Sequence, residues 1–252
     1  MAAEGADVVV HHSPMQQFEI EKLYPLDLFG YDVSFTNASV MMIVALALIC
    51  GFLFYAMRGG SLIPSRIQSM AEIVYEYVAG IVRENLGEDG MKYFPWVFSI
   101  FIFILVLNLL GMIPGNFTVT SHIIVTFALA AMVWLTATLI GFAKHGVGYL
   151  KLFVPHGVPW WLMPIIIPIE VLSYFIRPVS HSVRLFANMM AGHTLLKVFA
   201  GFAVMLPWWG KIAPTGFMVA FTGLEFLVAF LQALIFTVLT CIYLNDAVNM
   251  HH

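Results

Sequence analysis

The sequence predicts an all-α integral membrane protein, with about five membrane-crossing helices and one amphipathic helix lying on the membrane surface. Three observations predict it. Of 252 residues, 61% are hydrophobic and only 10% charged, with a mean hydropathy of +0.92, whereas a soluble domain carries about 25% charged residues. Apolar runs of about 20 residues, long enough to cross a hydrocarbon layer of about 30 Å, recur along the chain. One further segment spaces its apolar residues helically and keeps its charges to the other side.

The elements follow in order. Residues 1–37, beginning "MAAEGADVVVHHSP", form an acidic tail without the basic-then-apolar layout of a secretion signal, so the first apolar segment is expected to be kept as a span. The membrane domain then occupies 38–252. Residues 38–57, "ASVMMIVALALICGFLFYAM", carry no charge and form the first span. After the break "MRGGSLIPSR", residues 66–84 place Ile67, Met70, Ile73, Val74, Tyr77, Val78 and Ile81 at helical spacing, away from Arg66, Glu72, Glu76 and Arg83. That is the surface helix. Residues 94–113 and 122–143 are two more spans, joined by the uncharged turn "IPGNFTVTS" and closed by the polar break "KHGVGYLKLFVPHG". The stretch 159–206 is too long for one upright helix. It reads either as two helices broken near Arg177–Pro178 or as one strongly tilted helix. Residues 212–245, interrupted by Glu225 and Gln232, are the last apolar segment.

Loop charges set the orientation. With 159–206 as a single crossing, the inner loops hold Arg58, Arg66, Arg83, Lys92, Lys144 and Lys151, and the outer ones only Lys22 and Lys211. The N-terminus is therefore expected outside and the C-terminus inside. Several function classes are disfavoured. The net charge is −3 and no basic cluster suggests nucleic acid. Cys50 and Cys241 lie far apart in apolar runs without metal-ligand spacing, and read as small buried hydrophobes. HExxH, GxSxG and P-loop patterns are absent, so the chain is expected to bind no nucleotide.

The informative residues are the polar ones inside the apolar segments. At about 100° per residue, Glu170, Ser173, Arg177, His181, Arg184 and Asn188 share one helical stripe, because their spacings are combinations of 3, 4 and 7. His193 points to the opposite side, with Lys197 one turn beyond. Glu225 and Gln232, seven apart, share a face of the last segment. Carboxylates, imidazoles and guanidiniums on two apolar segments are the raw material of a proton or ion path. Most of these residues also have a purely structural reading. Glu170 suits an ion pair with Arg177; Arg177 itself suits a helix break or an interface. His181 and His122 suit packing, and Asn188 and Gln232 suit hydrogen bonding between helices. Arg184 fits such a reading least. It lies deep in its segment, its guanidinium stays charged, and an arginine at mid-bilayer costs about 2.5–3.5 kcal/mol on insertion scales.

"RPVSHSVRLFANMMAGH" followed by "LEFLVAFLQALIF" resembles the membrane stator subunit a of F-type ATP synthases, called subunit 6 in mitochondria. The resemblance extends to the first span, the surface helix, "LNLLGMIP" with Asn108, "PIEVLSYFIRPVS" and "LQALIFTVLTCIYL". It implies that 159–206 is one tilted helix, and that the last two membrane helices lie long and tilted against a ring of c subunits. It further implies that Arg184 is the essential stator arginine, with Asn188 and Gln232 its polar neighbours. Glu170 matches a carboxylate on the inner proton path, and His193 with Glu225 a coupled pair on the outer half-channel. Ser173, Arg177, His181 and Asn108 fall along the same implied route. In some bacterial members the acid and imidazole of that pair are exchanged; the order here is the mitochondrial one, which suggests a bacterium of the alphaproteobacterial kind. Implied partners are the c-subunit ring, b-type peripheral stalk subunits, the rest of the ATP synthase complex and membrane lipid, with no cofactor, metal or nucleic acid. The implied location is the bacterial inner membrane, with the mitochondrial inner membrane as the alternative. An ion-coupled secondary transporter or channel is the competing reading, disfavoured by the lack of internal repeats.

Overall fold

The computed structural model describes residues 20, 22–24, 27–28, 31–32, 34–58, 64–113, 116–154 and 159–249. The tail over 1–19 lies outside them. The described residues contain six α-helices: α1 Asn37–Met57, α2 Arg66–Leu86, α3 Phe94–Gly111, α4 Ile123–His145, α5 Met163–Met205 and α6 Ile212–Val248. Five segments are long and apolar enough to cross a membrane: Asn37–Met57, Glu88–Gly111, Ile123–Leu150, Met163–Met205 and Ile212–Val248. The protein is an all-α integral membrane protein. Ahead of α1 the chain also forms small antiparallel pairs that the apolar pattern did not signal: β1 Lys22–Tyr24 with β4 Phe35–Thr36, and β2 Asp27–Leu28 with β3 Tyr31–Asp32.

Helix starts follow local chemistry. Thr36 caps α1 by accepting from the Ser39 amide, and Ser65 caps α2 by accepting from the Gln68 amide at 3.3 Å, each satisfying a first-turn donor that has no partner within the helix. Gly87 ends α2 with φ of 72°, a left-handed conformation in which glycine carries no steric penalty. Helix α2 is apolar over a wider arc than one packed face needs. Val78, Val82 and Leu86 are buried in the core, while Met70, Ile73 and Tyr77 remain exposed. The face expected from sequence therefore divides between the protein core and the exposed surface.

Helix α5 runs unbroken for 43 residues through Pro168 and Pro178. At 1.5 Å per residue it is about 65 Å long, roughly twice the hydrocarbon thickness, so it crosses only when strongly tilted or bent. The break near Arg177–Pro178 is absent: proline removes one backbone donor, but the turns on either side keep theirs. The main core gathers Val97, Phe101 and Ile104 of α3, Val133 and Ala137 of α4, Leu185 and Met189 of α5, and Phe236, Cys241 and Leu244 of α6. Cys241 is fully buried there, whereas Cys50 sits exposed on α1.

Polar contacts tie the later turns of α4 to α5 and to the last turn of α6. The Tyr174 hydroxyl meets Thr138 Oγ1 at 2.5 Å and the Tyr149 hydroxyl at 3.1 Å. Gly141 leaves room for the Tyr149 ring, which a Cβ there would strike. Lys144 Nζ donates to the Val248 carbonyl at 2.9 Å, and His145 Nε2 lies 3.2 Å from the same oxygen, placing basic groups at the negative end of α6.

Candidate functional site

Helices α5 and α6 pack antiparallel, so residues further along α5 meet residues earlier on α6. Arg177 Nη1 pairs with Asp246 Oδ2 at 2.8 Å, Asn188 Nδ2 donates to Gln232 Oε1 at 2.8 Å, and His193 Nδ1 lies 3.5 Å from Glu225 Oε1. Along this ladder His181 packs against Phe236, the two ring planes tilted by 41°.

Of the imidazole–carboxylate and arginine–carboxylate pairs, the more deeply buried is His193 with Glu225. Their relative exposures are 8% and 5%, and their separation is within ion-pair reach but lacks hydrogen-bond alignment. Gly192 makes the approach possible, because a Cβ at that position would collide with the Glu225 carboxylate. A cleft of about 150 Å3 opens beside the pair, lined by Asn188, Gly192, Leu195, Phe221, Leu224 and Glu225. Asn108 of α3 is fully buried and donates from Nδ2 to the Ala229 carbonyl at 3.2 Å, one turn beyond Glu225. It ties α3 to α6 between the levels of Glu225 and Gln232.

Arg184 and Asn188 lie one turn apart on α5, both exposed on its surface. Asn188 and Gln232 do not hold the Arg184 guanidinium. The two amides bond each other, and Arg184 has no hydrogen bond or ion pair among the described residues. The shorter Asn188 side chain reaches inward to α6, while the longer arginine projects from the surface.

The remaining polar residues separate. The ion pair between Glu170 and Arg177 does not form; the carboxylate that holds Arg177 is Asp246, across the helix interface. Glu170 is half-buried and Ser173 exposed. His181 is 1% exposed among Phe236 and Tyr243, and neither ring nitrogen has a hydrogen-bond partner among the described residues, which is a packing environment. His122 stacks on Phe117 at 4.8 Å between centroids. Three functional-looking residues escaped the sequence reading: Asp246, Tyr174 and Gly192. A carboxylate just past the last apolar segment was the available signal for Asp246. Gly192 and Tyr174 gave none, since their roles exist only across an interface. Among the described residues no group of three or more His, Cys, Asp or Glu side chains could hold a metal.

Fold and site together define a polytopic helical membrane protein whose two longest helices bury an imidazole–carboxylate pair and present an unpaired arginine. The family described as ATP synthase A chain matches residues 39–245. Similar proteins include the ATP synthase subunit a of Rhizobium rhizogenes, 56% identical over 94% of this chain and 98% of the relative. That of Parvibaculum lavamentivorans is 53% identical over 95% and 94%, and that of Rhodospirillum rubrum 51% identical over 95% and 100%. The chain belongs to the ATP synthase A chain family.

Proposed function

We propose that this chain is the proton-translocating stator of the F-type membrane sector, working against a rotating ring of c subunits and held by b-type peripheral stalk subunits. The observation that carries this reading is the exposed Arg184, without a hydrogen bond or ion pair among the described residues, one turn from the Asn188 that lines a cleft reaching Glu225. A fixed cation on an apolar surface is costly unless a carboxylate meets it, and a rotor subunit carrying one carboxylate supplies that partner. The competing reading as a secondary transporter or channel has no comparable support from the family.

In this mechanism a proton enters from the outer side and passes through Glu225 and His193, side chains able to accept and release it. It neutralises a rotor carboxylate, which can then move through lipid. After almost a full turn the carboxylate reaches the inner half-channel near Glu170 and releases the proton. Arg184 stabilises the resulting anion and opposes direct proton passage between the half-channels. Asn188 and Gln232, locked to each other, shape the surface beside Arg184. Each elementary charge driven across 100 mV supplies about 2.3 kcal/mol. The N-terminus lies outside and the C-terminus inside the bacterial inner membrane. The chain itself binds no nucleotide, and ATP is made elsewhere in the complex.

Arg184→Ala tests this in membrane vesicles. Proton-driven ATP synthesis should be lost while passive proton conductance through the membrane sector persists or rises. Arg184→Lys should rescue poorly, because lysine lacks the planar fork and can deprotonate. Normal synthesis by Arg184→Ala vesicles would refute the stator reading.

A further inference from the structure

The α5 stripe carries two arginines, and the structure treats them differently. Arg177 is paired with Asp246 on the last turn of α6 at 2.8 Å, the two side chains being 26% and 36% exposed. The guanidinium also lies 5.6 Å from the ring centroids of both Tyr174 and Tyr243, a cation–π arrangement on two sides. Tyr174 is itself fastened by the Thr138 and Tyr149 hydroxyls. Arg184, seven residues later and on the same stripe, is exposed and has no acceptor among the described residues. Glu170, seven residues before Arg177, could have served as the counter-ion from the same helix, but the carboxylate in place belongs to α6.

We propose that Asp246 is a positioning residue that neutralises and retains Arg177, so that the stripe offers a passing rotor carboxylate one uncompensated arginine instead of two. The inference rests on the stator reading of Arg184. The two arginines are about 10 Å apart along the helix axis. A freed Arg177 would compete for the same carboxylate and hold it away from Arg184. At that separation and an effective dielectric of about 20, the added attraction corresponds to about a tenfold slowing of the step. Because Arg184 remains in place, the barrier to proton leak remains as well.

The test uses intact ATP synthase in inverted membrane vesicles, with the amount of this subunit in the membrane measured for each variant. Asp246→Asn should lower ATP-driven proton pumping about tenfold without raising passive proton conductance, and Asp246→Glu should recover most of the loss. The decisive variant adds Arg177→Gln to Asp246→Asn. Removing the surplus cation should restore pumping, whereas a pair serving only as a structural brace leaves the double variant as slow as the single one or slower. That second result would overturn the proposal, as would an Asp246→Asn enzyme that pumps normally. If the Asp246→Asn chain fails to accumulate, recovery on adding Arg177→Gln supports neutralisation and continued failure counts against it. Arg184→Ala runs alongside: normal synthesis there refutes the stator reading itself, while loss there with a normal Asp246→Asn enzyme refutes only the role of Asp246.

Discussion

Glu225 comes within reach of His193 because the residue before that histidine has no side chain. A Cβ on Gly192 would overlap the Glu225 carboxylate, the far end of a flexible side chain, which would have to shift. Gly192→Ala should therefore displace the acid from the imidazole. The overpacking should lower stability of the assembled complex by about 1–3 kcal/mol, while ATP-driven proton pumping falls in complexes that still assemble. Adding Glu225→Asp, one methylene shorter, should recover part of the pumping. Full pumping by Gly192→Ala alone would show that the close approach is not needed. Arg177 and Arg184 make the same point about single residues. They are chemically identical and seven residues apart on one stripe, and differ in whether a carboxylate stands opposite.

At the scale of elements, the antiparallel packing of α5 on α6 turns two separate patterns into matched pairs. His193 with Glu225 is such a pair, and the order of the two groups can be examined directly. Exchanging them, His193→Glu with Glu225→His, should retain more proton-driven ATP synthesis than either single change, because the double variant keeps one imidazole and one carboxylate in contact. Equal loss in all three would argue that the residues act separately. The same interface explains why α5 stays continuous. Leu185 and Met189 are fully enclosed against the core after Pro178, and this packing outweighs the single backbone hydrogen bond that proline removes.

For the whole molecule, the testable property is orientation. The proposed orientation, which rests on the loop arginines and lysines, has the N-terminus outside and the C-terminus inside. With Cys50 and Cys241 replaced by alanine, a single cysteine at Tyr24 should react with an impermeant maleimide from the outer side, and one at Asn249 only from the inner side. Both positions are exposed. Reversed labelling would invert the assignment of the two half-channels. The large uncovered surface of α5, including Ile165, Ile169, Leu172, Phe175 and Val179, is consistent with a helix that faces lipid and other subunits of the complex.

Composition and apolar run length by themselves determined the all-helical membrane class and the placement of the spans, since spanning a bilayer demands about 20 apolar residues whatever their neighbours are. Sequence also exposed Arg184, His193, Glu225, Asn188 and Gln232, because polar groups are rare and costly in such segments. Apolar patterning alone left open whether 159–206 is one helix, which the resemblance implied, and it did not foresee the division of α2 between core and exposed surface or the short strands before α1. Nor did it identify the true partner of Arg177. Helical spacing gives the angle of a residue around its own axis, which made Glu170 an eligible counter-ion. The choice of Asp246 depends on how α6 is set against α5, a register fixed by the packing of Leu185, Met189, Phe236 and Leu244 in three dimensions. Only the tertiary structure brings those distant residues into one interface, and with them the difference between the arginine that is held and the one left free.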